Sequence, residues 1–157
     1  MLFLVFQLGM DRYAIEAAQV VEVLPLVNSK RIPHLPPGVT GLFDYHGALV
    51  PLIDLTELAL GKPSRKWMST RIILVNYLEK SGKGHLLGFL AEHATETVHL
   101  RKEDFRDSGL AAEAPYLGAV VNDAGGIVQM IGIQGLLSES VGNYLFREQV
   151  ESFNVTG

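Results

Sequence analysis

His93 and His99 stand six residues apart, an even spacing that would put both imidazoles on one face of a regular strand, as a shared metal site requires. No HExxH pattern and no third ligand accompanies them, so the five histidines of the chain read first as solvated or locally hydrogen-bonded groups. Asp44 and Asp54 flank one short stretch and could supply paired carboxylates for acid and base work. Asp54 also has a structural use, because it stands directly before Leu55-Thr56-Glu57-Leu58-Ala59-Leu60 and can cap that helix. Ser81-Gly82-Lys83-Gly84 has the composition of a phosphate loop but lacks the GxxxxGK[ST] spacing, and it reads as a hairpin turn. With no cysteine there is neither a thiolate ligand nor a thiol nucleophile, and no GxSxG elbow occurs. No set of residues meets the demands of a catalyst, which leaves binding. The rival from another class is a β-barrel enzyme or ligand- or metal-binding protein whose site is built from histidines.

The elements that must position these residues are short strands. Gly41 to Tyr45 and Ala48 to Ile53 form a hairpin joined at His46-Gly47, where the glycine supplies the backbone freedom of a tight turn. Pro51 lacks an N–H, so its strand is expected at an edge or bulged there. Asp54 then caps a helix that Gly61 ends. Upstream, Phe3 to Leu8 and Tyr13 to Ile15 are strands, Glu16 to Gln19 one helical turn, and Val20 to Val27 a strand whose Pro25 implies exposure on its donor side. The prolines at 33, 36 and 37 make an extended linker, and Gly61 to Lys66 a mobile polar one. Thr70 to Leu78 is a strand buried on both faces. Strands are also expected at His85 to Leu90, Thr95 to Leu100, Pro115 to Val121 and Ile127 to Ile131, with short helices at Ile133 to Leu137 and Asn143 to Val150. About nine or ten short strands argue for an all-β fold of one barrel or paired barrels.

The chain has 157 residues, one domain's length, and a net charge of −4 without a basic stripe, which gives no footprint for nucleic acid. Its apolar start is broken by Gln7, Asp11 and Arg12 far short of a membrane span, so no signal peptide and no membrane insertion are expected. The absence of cysteine fits a cytoplasmic home. Charged residues make up 19%, below the roughly 25% of an average soluble domain, so the surface should be apolar enough to dock partners.

The ordered motifs resemble the CheW-like domain of bacterial chemosensory coupling proteins. Leu4-Val5-Phe6-Gln7-Leu8-Gly9 with Tyr13-Ala14-Ile15 matches the family's opening, Val20-Val21-Glu22-Val23 its valine-x-glutamate step, and Gly88-Phe89-Leu90-Ala91-Glu92 its glycine-to-acid step. Gly41, Gly47, Pro51, Asp54 and Leu55 match its central pattern, whereas His46 stands where the family has arginine. The resemblance runs from Phe3 to about Leu137 and implies one domain over 1–157, made of two five-stranded SH3-like β-barrels with a third apolar core between them. It implies a peripheral, partly helical tail over about 138–157. The function implied is that of a non-enzymatic, cofactor-free adaptor joining the cytoplasmic tip of a methyl-accepting-type chemoreceptor to the regulatory domain of a CheA-type histidine kinase. A variant of that reading docks only to its kinase.

The resemblance also assigns places. A receptor-binding groove falls on Leu4, Ala17, Val20, Val23 and Ala94, with Ala17 and Ala94 smaller than the family's valines. Gly41 falls on the kinase-facing edge, although a glycine starting a strand explains it equally. Glu22 takes the place of a glutamate paired with the missing arginine. Two readings of His46 stay open: it contacts Glu22, or it fills a turn and faces water.

Overall fold

The structure, a computed structural model, describes residues 1–36, 38–65, 68–79, 81–107, 117–137, 142, 145 and 146. Among the described residues ten strands carry the fold: β1 (Leu2–Leu8), β2 (Asp11–Glu16), β3 (Val20–Pro25), β4 (Lys30–Arg31), β5 (Val39–Tyr45), β6 (Ala48–Asp54), β7 (Arg71–Leu78), β8 (Gly84–His99), β9 (Leu117–Asp123) and β10 (Gly126–Ile131). One helix, α1 (Leu55–Leu60), follows β6, and 3-10 turns occupy Ala17–Gln19, Lys102–Asp104 and Ile133–Gly135. No helix among the described residues is long and apolar enough to cross a membrane.

His85–Leu90 and Thr95–Leu100, expected as two strands, are halves of the single strand β8. Its first half lies between antiparallel β7 and parallel β6, and its second half pairs with β1. The change of partner occurs between Ala91 and Glu92, beside His93, whose φ of 52° bends the strand. There β8 takes four steps, from Glu92 to Glu96, against two on β1 from Gln7 to Val5, so extra residues bulge and re-aim the chain. The two lobes thus share one strand. The first lobe is the end of β8 with β1, β2, β10 and β9; the second is β3, β7, the start of β8, β6 and β5, with β4 added beside β5.

Period-two alternation divides the apolar residues among three cores. On β1, Phe3 and Val5 enter the first lobe with Ala14, Val121 and Val128, while Leu4, Phe6 and Leu8 turn the other way into a core between the lobes. On β7, Ile72 and Leu74 fill the second lobe with Phe43 and Leu52, while Ile73 and Val75 join the inter-lobe core with Phe89. A strand serving two cores has no polar face, which is why β1 and most of β7 read as continuous apolar runs. Pro51 is not at a sheet edge in the strict sense, since β6 has strands on both sides further along. It lies one residue before the parallel pairing with β8 begins at Leu52, so its missing N–H interrupts no β6–β8 bond.

The connection after α1, expected as mobile, is held by two buried carboxylates. Asp54, 3% exposed, accepts the backbone N–H groups of Thr56 at 3.1 Å and Glu57 at 3.2 Å as the cap of α1, and also the N–H of Ser64 at 2.8 Å and its hydroxyl at 2.6 Å. Glu92, 7% exposed, accepts the N–H of Arg65 at 3.1 Å. Of the segment expected as a peripheral tail, Leu145 and Phe146 instead belong to the inter-lobe core, and Phe146 stacks on His85 with centroids 4.0 Å apart; two apolar side chains on a polar segment are buried there. Its other residues, apart from Gly142, lie outside the described ones, as do Pro115 and Tyr116 of the expected ninth strand.

Arg12 of β2 grips Asp123 at the β9–β10 turn with two hydrogen bonds, 2.6 and 3.1 Å, closing the first lobe. The guanidinium bond, assisted by the Gly125 N–H, holds the Asp123 carboxyl below the usual carboxylate range against a partial loss of solvent. A lowered folded pKa means that this stabilisation is present above the unfolded value near 3.9 and is lost as pH falls through the folded one. Denaturant unfolding at pH 7 and at pH 3 is expected to show a smaller acid loss for Asp123→Asn than for the wild type.

Candidate functional site

One of the sheet edges that the fold leaves open is β3. It has one strand neighbour, β7, and Val21, Glu22 and Val23 are exposed, Val23 by 37%. Between Val20↔Val75 and Glu22↔Leu74 the ladder advances two residues on β3 against one on β7, so Val21 is bulged. That bulge has a geometric consequence. Residues 20 and 23, three apart, would face opposite ways on a regular strand, yet Val20 opposes Val75 and Val23 opposes Ile73, both inter-lobe residues. Both valines therefore lie on the inter-lobe side, with Glu22 and Leu24 on the other.

The residues expected in the groove meet here in part. Leu4 and Ala94 are buried in the inter-lobe core, and Val20 packs against it. Ala17 is half-buried in the 3-10 turn that lies against β1. Leu4 and Ala94 are buried and offer little surface of their own, whereas Val21 and Val23 of β3 are exposed apolar groups. Val21 is not among the residues expected from sequence. Its exposure follows from the bulge, which no local pattern announces.

Glu22 and His46 share no hydrogen bond. The Glu22 carboxylate accepts the Tyr45 hydroxyl at 2.6 Å, and no ion pair joins it to His46. His46 and Gly47, with φ of 50° and 90°, form the two-residue turn of the β5–β6 hairpin, whose ends pair as Tyr45 with Ala48. The His46 ring meets the Tyr45 ring edge-on at 4.4 Å and is otherwise exposed. Tyr45 is thus the partner of Glu22 that sequence reasoning missed. The bond to Glu22 raises the phenol above its ordinary value of 10.0, so the phenol keeps the proton it donates through neutral pH.

Gly41 is not on a free edge. Its strand is covered by β4, through Lys30↔Leu42 and Arg31↔Gly41, and a Cβ at residue 41 would stand 1.9 Å from the Lys30 carbonyl oxygen. Close backbone approach explains the glycine; the exposed edge belongs to β4. Gly41→Ala is expected to unpair β4 and to cost about 2 kcal/mol in denaturant unfolding.

The remaining candidates have local partners. Asp44 accepts the Gly47 N–H at 2.9 Å and Asp54 caps α1, so neither carboxylate faces the other across a cleft. His93 sits at the bend of β8, which removes the regular spacing to His99. His85 pairs with Glu79 at 2.9 Å. Among the described residues no three histidine, aspartate or glutamate side chains converge as a metal site would need.

Comparison with known proteins agrees with this geometry. The sequence model of the CheW-like domain matches residues 2–141. The chain is 28% identical over 103 residues to the chemotaxis protein CheW of Helicobacter pylori, covering 65% of this chain and 59% of that protein. It is 25% identical over 104 residues to the chemotaxis protein CheW of Klebsiella aerogenes, covering 66% and 60%. The chain therefore spans about three-fifths of the length of the curated relatives it matches. Its fold is similar to the crystal structure of the scaffolding protein TtCheW from Thermoanaerobacter tengcongensis, with a TM-score of 0.78 at 20% identity over 87% of each chain. A family match over residues 2–141, on two SH3-like lobes around a shared core, carries the conclusion that the chain belongs to the CheW-like domain family.

Proposed function

We propose that this chain is a non-enzymatic adaptor that joins the coiled-coil cytoplasmic tip of a chemoreceptor to the regulatory domain of a CheA-type histidine kinase. The observation that carries the reading is the family match over residues 2–141, on a chain whose β3 leaves an apolar strip open beside the inter-lobe core. A receptor helix would lay its apolar stripe along Val20, Val21 and Val23, the helix-in-groove mode of recognition. The kinase domain would dock at another surface, the β4–β5 side near Gly41. Coupling then needs no chemistry in this protein: a receptor change alters how the kinase is held, in arrays at the cytoplasmic face of the membrane.

The second reading, docking to the kinase alone, is favoured by one observation, that Glu22 shares neither a hydrogen bond nor an ion pair with His46, the residue standing where the family's pattern implies an arginine partner. Calorimetric titration against each partner separately, for wild type and His46→Arg, distinguishes the two. Binding of both partners by the wild type supports the adaptor, and the arginine variant is expected to bind the receptor tip about fivefold more tightly through a permanent charge. Kinase binding without receptor binding supports the second reading. Binding of neither overturns both.

A further inference from the structure

We propose that Tyr45 is a positioning residue: by holding Glu22 it clamps the edge strand β3 across the mouth of the second lobe, and so sets the shape of the valine face presented to a receptor helix. The second half of this statement rests on the adaptor function proposed above; the first does not.

In the second lobe the strands run β3-β7-β8-β6-β5-β4, so β3 and β5 lie toward opposite ends of one curled sheet. Tyr45, the last residue of β5, nonetheless reaches Glu22 on β3 at 2.6 Å, so the sheet curls until these strands meet. Among the described residues this is the only side-chain hydrogen bond that β3 makes. Everything else that orders β3 is its ladder with β7, which is interrupted at Val21 beside the tie, and the packing of Val20 and Leu24. A bulged, exposed edge strand held on one side is where local opening costs least. The tie acts one residue from the bulge, the place where the orientation of Val20 against Val23 is decided. His46 touches the tie only through the Tyr45 ring, at 4.4 Å. An arginine at residue 46 has the reach and donors to take Glu22 in place of the phenol.

Three variants of the full chain test this: Tyr45→Phe, Glu22→Gln and Tyr45→Phe with His46→Arg. Amide hydrogen exchange over residues 20–24, which needs no partner, is expected to quicken about fivefold in both single variants, as for loss of one charge-assisted bond, with β1 and β2 unchanged as the control for folding. The double variant is expected to regain protection. The Tyr45 ring, followed by NMR, is expected to titrate above its ordinary value in wild type and to move back in Glu22→Gln, a shift that a packing role alone would not produce. Titration with a receptor-tip coiled coil is expected to show about fivefold weaker binding by Tyr45→Phe, recovered in the double variant. Unchanged exchange at residues 20–24 in both single variants overturns the clamp. Faster exchange with unchanged tip affinity overturns the step from clamp to binding face. A wild type that binds no tip, with quickened exchange in the variants, upholds the clamp and overturns the adaptor function.

Discussion

Phe89→Ala is expected to cost about 4 kcal/mol, the largest single loss available outside the backbone. Phe89 is fully buried in the inter-lobe core and packs tilted against Phe6 with centroids 5.7 Å apart. It lies in the half of β8 flanked by two ladders, opposite Ile73 on β7 and Ile53 on β6. With the backbone fixed from both sides the cavity has little freedom to collapse, which puts the cost toward the upper part of the usual range. Phe89→Leu keeps most of the volume and is expected to cost about 1.5 kcal/mol. Because the same core supports Val20, the alanine variant is also expected to weaken helix binding at β3, whereas a variant confined to the first lobe's own core should not. Urea unfolding with fixed m-values, followed by partner titration, checks both.

Asp54→Ala is expected to cost about 3 kcal/mol. Its carboxylate receives three backbone N–H groups and one hydroxyl, and a methyl group satisfies none of them. Loss of an N-cap alone is worth about 1 kcal/mol, and the rest comes from the Ser64 donors left without this acceptor. Asp54→Asn retains one acceptor oxygen for Thr56, Glu57 and the Ser64 hydroxyl but sets an amide N–H against the Ser64 N–H, so about half the loss is expected. Denaturant unfolding of the three proteins should rank them wild type, asparagine, alanine. Faster proteolysis between Gly61 and Arg65 should accompany the loss, since Ser64 is where Asp54 pins that connection.

What could be read from residues in order is what depends on neighbours in order. The His46-Gly47 turn and the Asp54 cap with Gly61 at the helix end are local chemistry, and the structure has them at those residues. The apolar run of β1 was legible as a strand, but its division between two cores was not, because each side of the alternation is apolar. The continuity of β8 was hidden by His93, a bulky residue in the left-handed region whose bend looks like a strand end in sequence. The Glu92 anchor on Arg65 and the Tyr45 bond to Glu22 join residues 27 and 23 positions apart, and only closure of the lobes brings them together. The family pattern pointed to Glu22 and to residue 46 as a pair. It missed that the residue before the turn had taken the bond.

A bridging measurement tests coupling most directly. A receptor-tip coiled coil is immobilised and a CheA-type regulatory domain is passed over it with and without this chain. Retention of the kinase domain only when the chain is present, and less of it with Tyr45→Phe, is the predicted result. Equal retention in its absence, or none in its presence although each partner binds the chain alone, would contradict it.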